Sequence, residues 1–120
     1  MQILVVDDDA LAGEMTTAVL EDQGYQVVQA ADAVEAVEQL NTYPQIALIV
    51  SDMNMPLISG IDLYRDLQEQ GQTRPFILLT GDDPALLCAK EPGLDACIQK
   101  DFNLEQSLPV AVTQALARQS

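Results

Sequence analysis

This sequence predicts an α/β fold, a doubly wound five-stranded parallel sheet with helices on both faces. Three observations carry the prediction. Short apolar runs of strand length alternate five times with segments of helical periodicity. Most of those runs are continuous rather than alternating, as in strands buried on both sides. Four of the five end in a polar or charged residue, at the carboxyl edge where parallel sheets gather their ligands. At 120 residues the chain is long enough for one buried core, and 1–120 is expected to form a single domain.

Gln2, Ile3, Leu4, Val5 and Val6 form the first strand, closed by Asp7, Asp8 and Asp9. Asp9 is placed to cap a helix over 10–23 by accepting backbone N–H bonds. In that helix Leu11, Met15, Ala18 and Val19 recur at helical spacing and are expected to face inward. Gly13 inside it costs about 1 kcal/mol relative to Ala, and Gly24 ends it. Residues 25–30 form the second strand. Asp32 opens a second helix on Ala33, Ala36, Val37 and Leu40, which stops before Pro44.

The third strand, 46–51, runs into Asp52, and Pro56 rules out its continuation as a central strand. Ser59 can cap a third helix with Leu63, Tyr64 and Leu67 inward and Gly71 closing it. Residues 75–80 form the fourth strand and end in Thr80. A short, weakly patterned helix over 84–91 is stopped by Pro92-Gly93. The fifth strand, 94–99, delivers Lys100. Asn103, with Gln106 three residues on, resembles a capping box ahead of a last helix carrying Leu104, Leu108, Val112, Ala115 and Leu116. Pro109 predicts either a kink there or a start near Ser107. Right-handed crossovers then favour the flavodoxin-like order 2-1-3-4-5, with strands one, three and four central.

Composition excludes several classes of function. No apolar run approaches the roughly 20 residues that span a bilayer, and Asp7, Asp8 and Asp9 interrupt any signal-like start. A cytoplasmic location without a membrane partner is expected. Cys88 and Cys97 are too few and unpatterned for a disulfide framework or metal site, so buried or half-buried thiols in a reducing compartment are expected. The net charge of −14 leaves Arg65, Arg74, Lys90, Lys100 and Arg118 as scattered cations. Nothing basic clusters, which argues against direct nucleic-acid binding. Converging carboxylates would instead offer ligands to a divalent cation.

In a doubly wound sheet the strand ends share one edge. The first strand brings Asp7 and Asp8, the third Asp52, the fourth Thr80 and the fifth Lys100. Three carboxylates in one crevice repel one another unless a cation neutralises them. Mg2+ fits, since it takes one or two carboxylates, keeps several waters and accepts phosphate oxygens. A hydroxyl and an ammonium beside it suit the other oxygens of a phosphoryl group. The chemistry so assembled is phosphoryl transfer onto a carboxylate, with Asp52 as nucleophile.

Over essentially its whole length the chain resembles a response-regulator receiver domain, the CheY-like fold of two-component phosphorelays. The resemblance rests on Val5-Val6-Asp7-Asp8-Asp9, on Ser51-Asp52-Met53-Asn54-Met55-Pro56 with Ser59-Gly60, on Leu79-Thr80-Gly81, and on Lys100 before Phe102. It implies that Asp52 accepts a phosphoryl group from a phosphohistidine on a sensor histidine kinase or histidine phosphotransfer protein. Asp8 would hold Mg2+ directly and Asp7 through water, with Asp52 and the Asn54 backbone carbonyl completing the set. Lys100 would pair with Asp52 and then with the phosphate. Thr80 would swing its hydroxyl to the phosphoryl oxygen and remodel the fourth-helix face. Asn54 and Asp82 occupy the positions that tune dephosphorylation, so loss of phosphate within minutes rather than days is expected. The resemblance also implies kinase docking on the exposed side of the first helix and on the loop before the last.

Two departures from the family pattern change expectations. Asp101 stands where the family usually has a proline after a cis bond. A cis bond before a non-proline costs about 2.5–4 kcal/mol, so a trans Lys100–Asp101 bond is expected. Cys97 replaces an aromatic that turns inward on activation, so switching must rely on Thr80 and the loop 81–92. With no DNA-binding domain following, output is expected through a protein partner. Two other readings compete. A degenerate receiver would act as a phosphorylation-independent adaptor, favoured by Cys97 and Asp101. An aspartyl-phosphate hydrolase would need a second acid where Asn54 stands and a substrate cap, so no turnover enzyme is expected, only self-phosphorylation and self-dephosphorylation.

Overall fold

The computed structural model describes residues 1–55, 57–81, 83–91, 93–100 and 104–118, without the side chains of Leu87 and Arg118. Five strands alternate with five helices: β1 Gln2–Val6, α1 Ala10–Asp22, β2 Gln26–Ala30, α2 Ala33–Thr42, β3 Ile46–Asp52, α3 Gly60–Glu69, β4 Phe76–Thr80, α4 Pro84–Lys90, β5 Ala96–Gln99 and α5 Leu104–Arg118. All strand pairs are parallel and the sheet order is β2-β1-β3-β4-β5. The predicted fold and strand order are therefore the observed ones. Expectations resting on Pro56, Asp82, Pro92, the Lys100–Asp101 bond, Phe102 and the Asn103 cap lie outside the described residues.

The continuous apolar strands are explained by two cores, one on each side of the sheet. Leu4, Ile49, Phe76 and Leu78 point to one face, where Leu40 of α2 and Leu63 and Leu67 of α3 cover them. Their neighbours in sequence, Ile3, Val5, Leu48, Val50, Ile77 and Leu79, point to the other, beneath Leu20 of α1 and Leu108, Val112 and Ala115 of α5. The period of two thus sends alternate residues to opposite apolar layers. Tyr64 and Phe76 meet edge to face, with ring centroids 5.3 Å apart.

The caps follow the sequence. Asp9 accepts from Leu11 and Ala12 N–H, Asp32 from Glu35 N–H, and Ser59 forms a reciprocal box with Asp62. These bonds satisfy N–H groups that a helix start leaves unpaired. Gly24 and Gly71 both take positive φ just past their helices, as left-handed helix ends require.

The inward face expected for α1 is not the one observed. Gly13, Thr16, Thr17 and Leu20 are buried, whereas Leu11 and Met15 are 67% and 61% exposed. Ala18 is also exposed, and Val19 is half-buried. Small side chains on the buried row let the helix lie close to the sheet. The larger apolar row is left facing a groove beside α5.

Helix α5 runs from Leu104 with Pro109 inside it rather than starting near Ser107. Pro109 removes the N–H that would bond the Glu105 carbonyl. Glu105 is exposed, so water is at hand for that oxygen. The fifth strand begins at Ala96, not 94. Asp95 uses its side chain to accept from Phe76 N–H at 2.9 Å, so a carboxylate replaces a rung of the ladder.

Candidate functional site

The carboxyl edge of the sheet gathers side chains from three strand ends around one acidic cluster. Asp7 follows β1 directly. Its N–H donates to Ala30 O at 3.0 Å, which carries the β1–β2 ladder one rung further. One carboxylate oxygen, Oδ1, accepts from Asp9 N–H at 2.9 Å and fixes the turn into α1. The other, Oδ2, is free to face the crevice.

Asp52 ends β3 opposite Leu79 of β4. Met53 N–H donates to Leu79 O at 2.7 Å, holding the chain in line beyond the carboxylate. Asp7 and Asp52 are 6% and 7% exposed, while Asp8 is open to solvent. One carboxylate oxygen from each of the three lies within 4.8 Å of the other two.

Lys100 reaches this cluster from the end of β5. Its N–H donates to Thr80 O at 2.7 Å, which extends the β4–β5 pairing and aims the side chain back across the edge. Nζ sits 3.0 Å from Asp7 Oδ2 and 3.1 Å from Asp52 Oδ1. Thr80 is the last residue of β4, buried, and paired in register with Gln99. Asn54 is exposed and lines a shallow pocket with Asp8, Met53, Met55 and Ser59. Asp82 lies outside the described residues.

Electrostatics at Asp52 reflect a contest. Burial pushes its carboxyl above the ordinary value. The Lys100 ion pair and a bond from Asn54 N–H offset this in part, and the Asp7 charge adds to the rise. For Lys100, burial disfavours the ammonium, but hydrogen bonds to Asp7 and Asp52 with their charges outweigh it and hold its pKa above normal. Three acids face one ammonium, so negative charge remains in excess. A set of carboxylate oxygens, two buried and one open to water, suits a hard divalent cation that keeps part of its hydration. Mg2+ fits the donors present.

Two features that position the site escaped the sequence reading. A Cβ on Gly60 would lie 2.5 Å from Asp52 O and 2.5 Å from Leu78 Cδ1. Glycine is therefore what lets α3 start against the strand that carries Asp52. Ser59-Gly60 was legible as a motif, but the close approach depends on how tightly α3 packs. Leu57, also in the β3–α3 loop, adopts φ 73° and is 93% exposed. No local signal in the sequence marks a leucine for the left-handed region.

The comparisons with known proteins agree with this arrangement. The family model for the response regulator receiver domain matches residues 3–112. Response regulator MprA of Mycobacterium avium (strain 104) is 34% identical, with all of this chain aligned to 52% of that protein. The phosphate regulon transcriptional regulatory protein PhoB of Escherichia coli (strain K12) is 40% identical, over 85% of this chain and 46% of that protein. The chain thus spans about half the length of these relatives. Among solved structures, response regulator protein TrrA from Thermotoga maritima, in complex with Mg(2+)-BeF, superposes with a TM-score of 0.84 at 26% identity, over 95% of this chain and 97% of that one. No helix among the described residues is long and apolar enough to cross a membrane. With the fold, the edge cluster and the family model in agreement, this chain belongs to the response regulator receiver domain family of two-component systems.

Proposed function

We propose that residues 1–120 form one phosphoaccepting receiver unit, in which Asp52 takes a phosphoryl group from a phosphohistidine donor. The observation that carries this reading is Lys100 Nζ held between Asp7 and Asp52 at 3.0 and 3.1 Å, with Asp8 in the same cluster. An Asp52 oxygen forms the new bond to phosphorus as the donor's N–P bond breaks, and the departing imidazole takes up a proton. Asp7, Asp8, Asp52 and the Asn54 carbonyl are the residues that would hold Mg2+. When bound, that ion would neutralise charge on the phosphoryl oxygens.

Lys100 gives its ammonium to a phosphoryl oxygen in place of the Asp52 carboxylate it now pairs with. Thr80, at the end of the neighbouring strand, supplies a hydroxyl to another. Asn54, with Asp82, orients the water that later removes the phosphate, and a lifetime of minutes is expected. A phospho-form persisting for many hours with Mg2+ present would refute that assignment.

The donor, a sensor histidine kinase or histidine phosphotransfer protein, would dock over the exposed row of α1. Met15, Ala18, Val19 and Leu104, with Asp22 and Glu105, line a groove of about 620 Å³ there. Leu86 of α4 and Val110 of α5 are exposed apolar residues available to an output partner. Absence of nucleic-acid contact is proposed for these residues alone, because the relatives are about twice as long as this chain.

The adaptor reading draws on one observation, the small Cys97 on the sheet face where an aromatic rotor would turn. Incubation with acetyl phosphate and Mg2+, followed by intact-mass measurement, separates the two. One phosphoryl group added to the wild type and none to Asp52→Asn is expected. No addition, with Mg2+ binding independently verified, would leave the adaptor.

A further inference from the structure

We propose that Cys88 and Cys97 form a redox-active dithiol, which closes to an intramolecular disulfide under a peroxide and ties α4 to β5. Cys97 lies in β5, in register with Leu78 of β4, and packs against the core on the α2–α3 face. Helix α4 packs on β5. On that helix Ala85, Leu86, Ala89 and Lys90 are exposed while Cys88 is half-buried, so Cys88 lies on the inward side. Cys97 in turn is half-buried in the strand that α4 covers, and both cysteines are free. The short helix and the turn after it bring together two thiols from different elements. A sulfenic acid on a lone thiol is open to further oxidation, whereas a second thiol nearby can resolve it to a disulfide.

The roles of the two sulfurs differ. Burial, with Cys88 beside it, pushes the Cys97 thiol up to about 12, so attack on the oxidant falls to Cys88. The Cys88 sulfur takes the terminal oxygen of a peroxide as the O–O bond breaks. With hydrogen peroxide this gives a sulfenic acid and water. The Cys97 sulfur then attacks the Cys88 sulfur and forms the S–S bond. Hydroxide leaves and takes the Cys97 proton as a second water. Two thiols are oxidised by two electrons, one peroxide is reduced, and a dithiol reductant reverses the change.

The physical consequence is local. Among the described residues, α4 is tied to the body of the protein by its packing on β5 and, just beyond its end, by the Arg65–Glu91 ion pair at 2.8 Å. A covalent link to the sheet would remove much of its freedom to open. This inference does not rest on the phosphoacceptor reading and stands or falls apart from it.

The test treats the full chain with one equivalent of hydrogen peroxide and measures intact mass and peptide maps without reductant. The expected product is a monomer lighter by two hydrogens, linked Cys88 to Cys97, and restored by dithiothreitol. Amide exchange across α4 should slow by roughly tenfold or more in that form. Oxygen adducts as the main product, a disulfide-linked dimer, or thiols that remain fully alkylatable would each overturn the dithiol. Unchanged exchange in α4 would overturn the tether. In Cys97→Ser, a dimedone-trappable sulfenic acid on Cys88 is expected, and its absence would overturn the assignment of the attacking sulfur.

Discussion

Replacing Lys100 with methionine isolates what the ammonium does for the acidic cluster. In the wild type it lies 3.0 and 3.1 Å from two carboxylates whose side chains are 2% and 9% exposed, and it is itself 26% exposed. At an effective dielectric near 20, each contact is worth about 5 kcal/mol gross. Partial burial of the ammonium cancels much of that, but the two acids are buried whether or not Lys100 is present. Methionine keeps the aliphatic stem and leaves both acids unpaired, for a net cost of about 2–4 kcal/mol in metal-free buffer at neutral pH. Urea unfolding with a chelator present measures it.

The sign of the pH dependence follows from the same geometry. The raised Lys100 pKa means that its contribution is complete below the ordinary value of 10.5 and is lost as pH rises through the folded-state value. The wild-type advantage should therefore hold from neutral pH to about 10 and shrink above. In Lys100→Met, Asp52 loses the partner that offsets its burial, so its carboxyl is held further above the ordinary value. The penalty of that buried carboxylate should ease on acidification, narrowing the gap from the other side. Mg2+ should also stabilise the variant, since a cation again faces the acids. A loss below about 0.5 kcal/mol, or a gap that widens on acidification, would refute the claim that Lys100 neutralises this cluster.

Other outcomes follow from the site's surroundings. Gly60→Ala forces a methyl onto Asp52 O and should cost about 2–4 kcal/mol in denaturant unfolding, with slower labelling by acetyl phosphate. Leu57→Gly relieves a left-handed leucine at a fully exposed position. Thermal unfolding should show a net gain of about 0.5–1 kcal/mol after the entropy glycine adds to the unfolded chain. Asp52→Asn removes a carboxylate whose pKa burial has raised. Such a group lowers stability as pH climbs from its ordinary 3.8 through the raised value, so the variant should gain on the wild type across that interval. Equal pH profiles for the two proteins would count against a strained Asp52.

Much of the fold was legible because it depends on local chemistry repeated along the chain. Continuous apolar strands such as 46–51, and caps such as Asp9, Asp32 and Ser59, declare themselves within a few residues of sequence. Once strand order is limited by the handedness of crossovers, strand ends that finish in Asp7, Asp52, Thr80 and Lys100 must share an edge. The facing of α1 was misread because apolar spacing is the usual guide to burial. Here Gly13, Thr16 and Thr17 won the inner row by being small, and Met15 and Leu11 were left outside.

What the sequence by itself determined is the alternation, the parallel sheet and the identity of the groups at its edge, because each is written in residues adjacent along the chain. Tertiary structure alone decided that Lys100 also reaches Asp7, that Gly60 clears room beside Asp52, and that α4 lays Cys88 against the strand that carries Cys97. Those relations span distances along the chain that no local pattern encodes. They are set by how closely helices settle on a twisted sheet, where a few tenths of an ångström separate a contact from a gap.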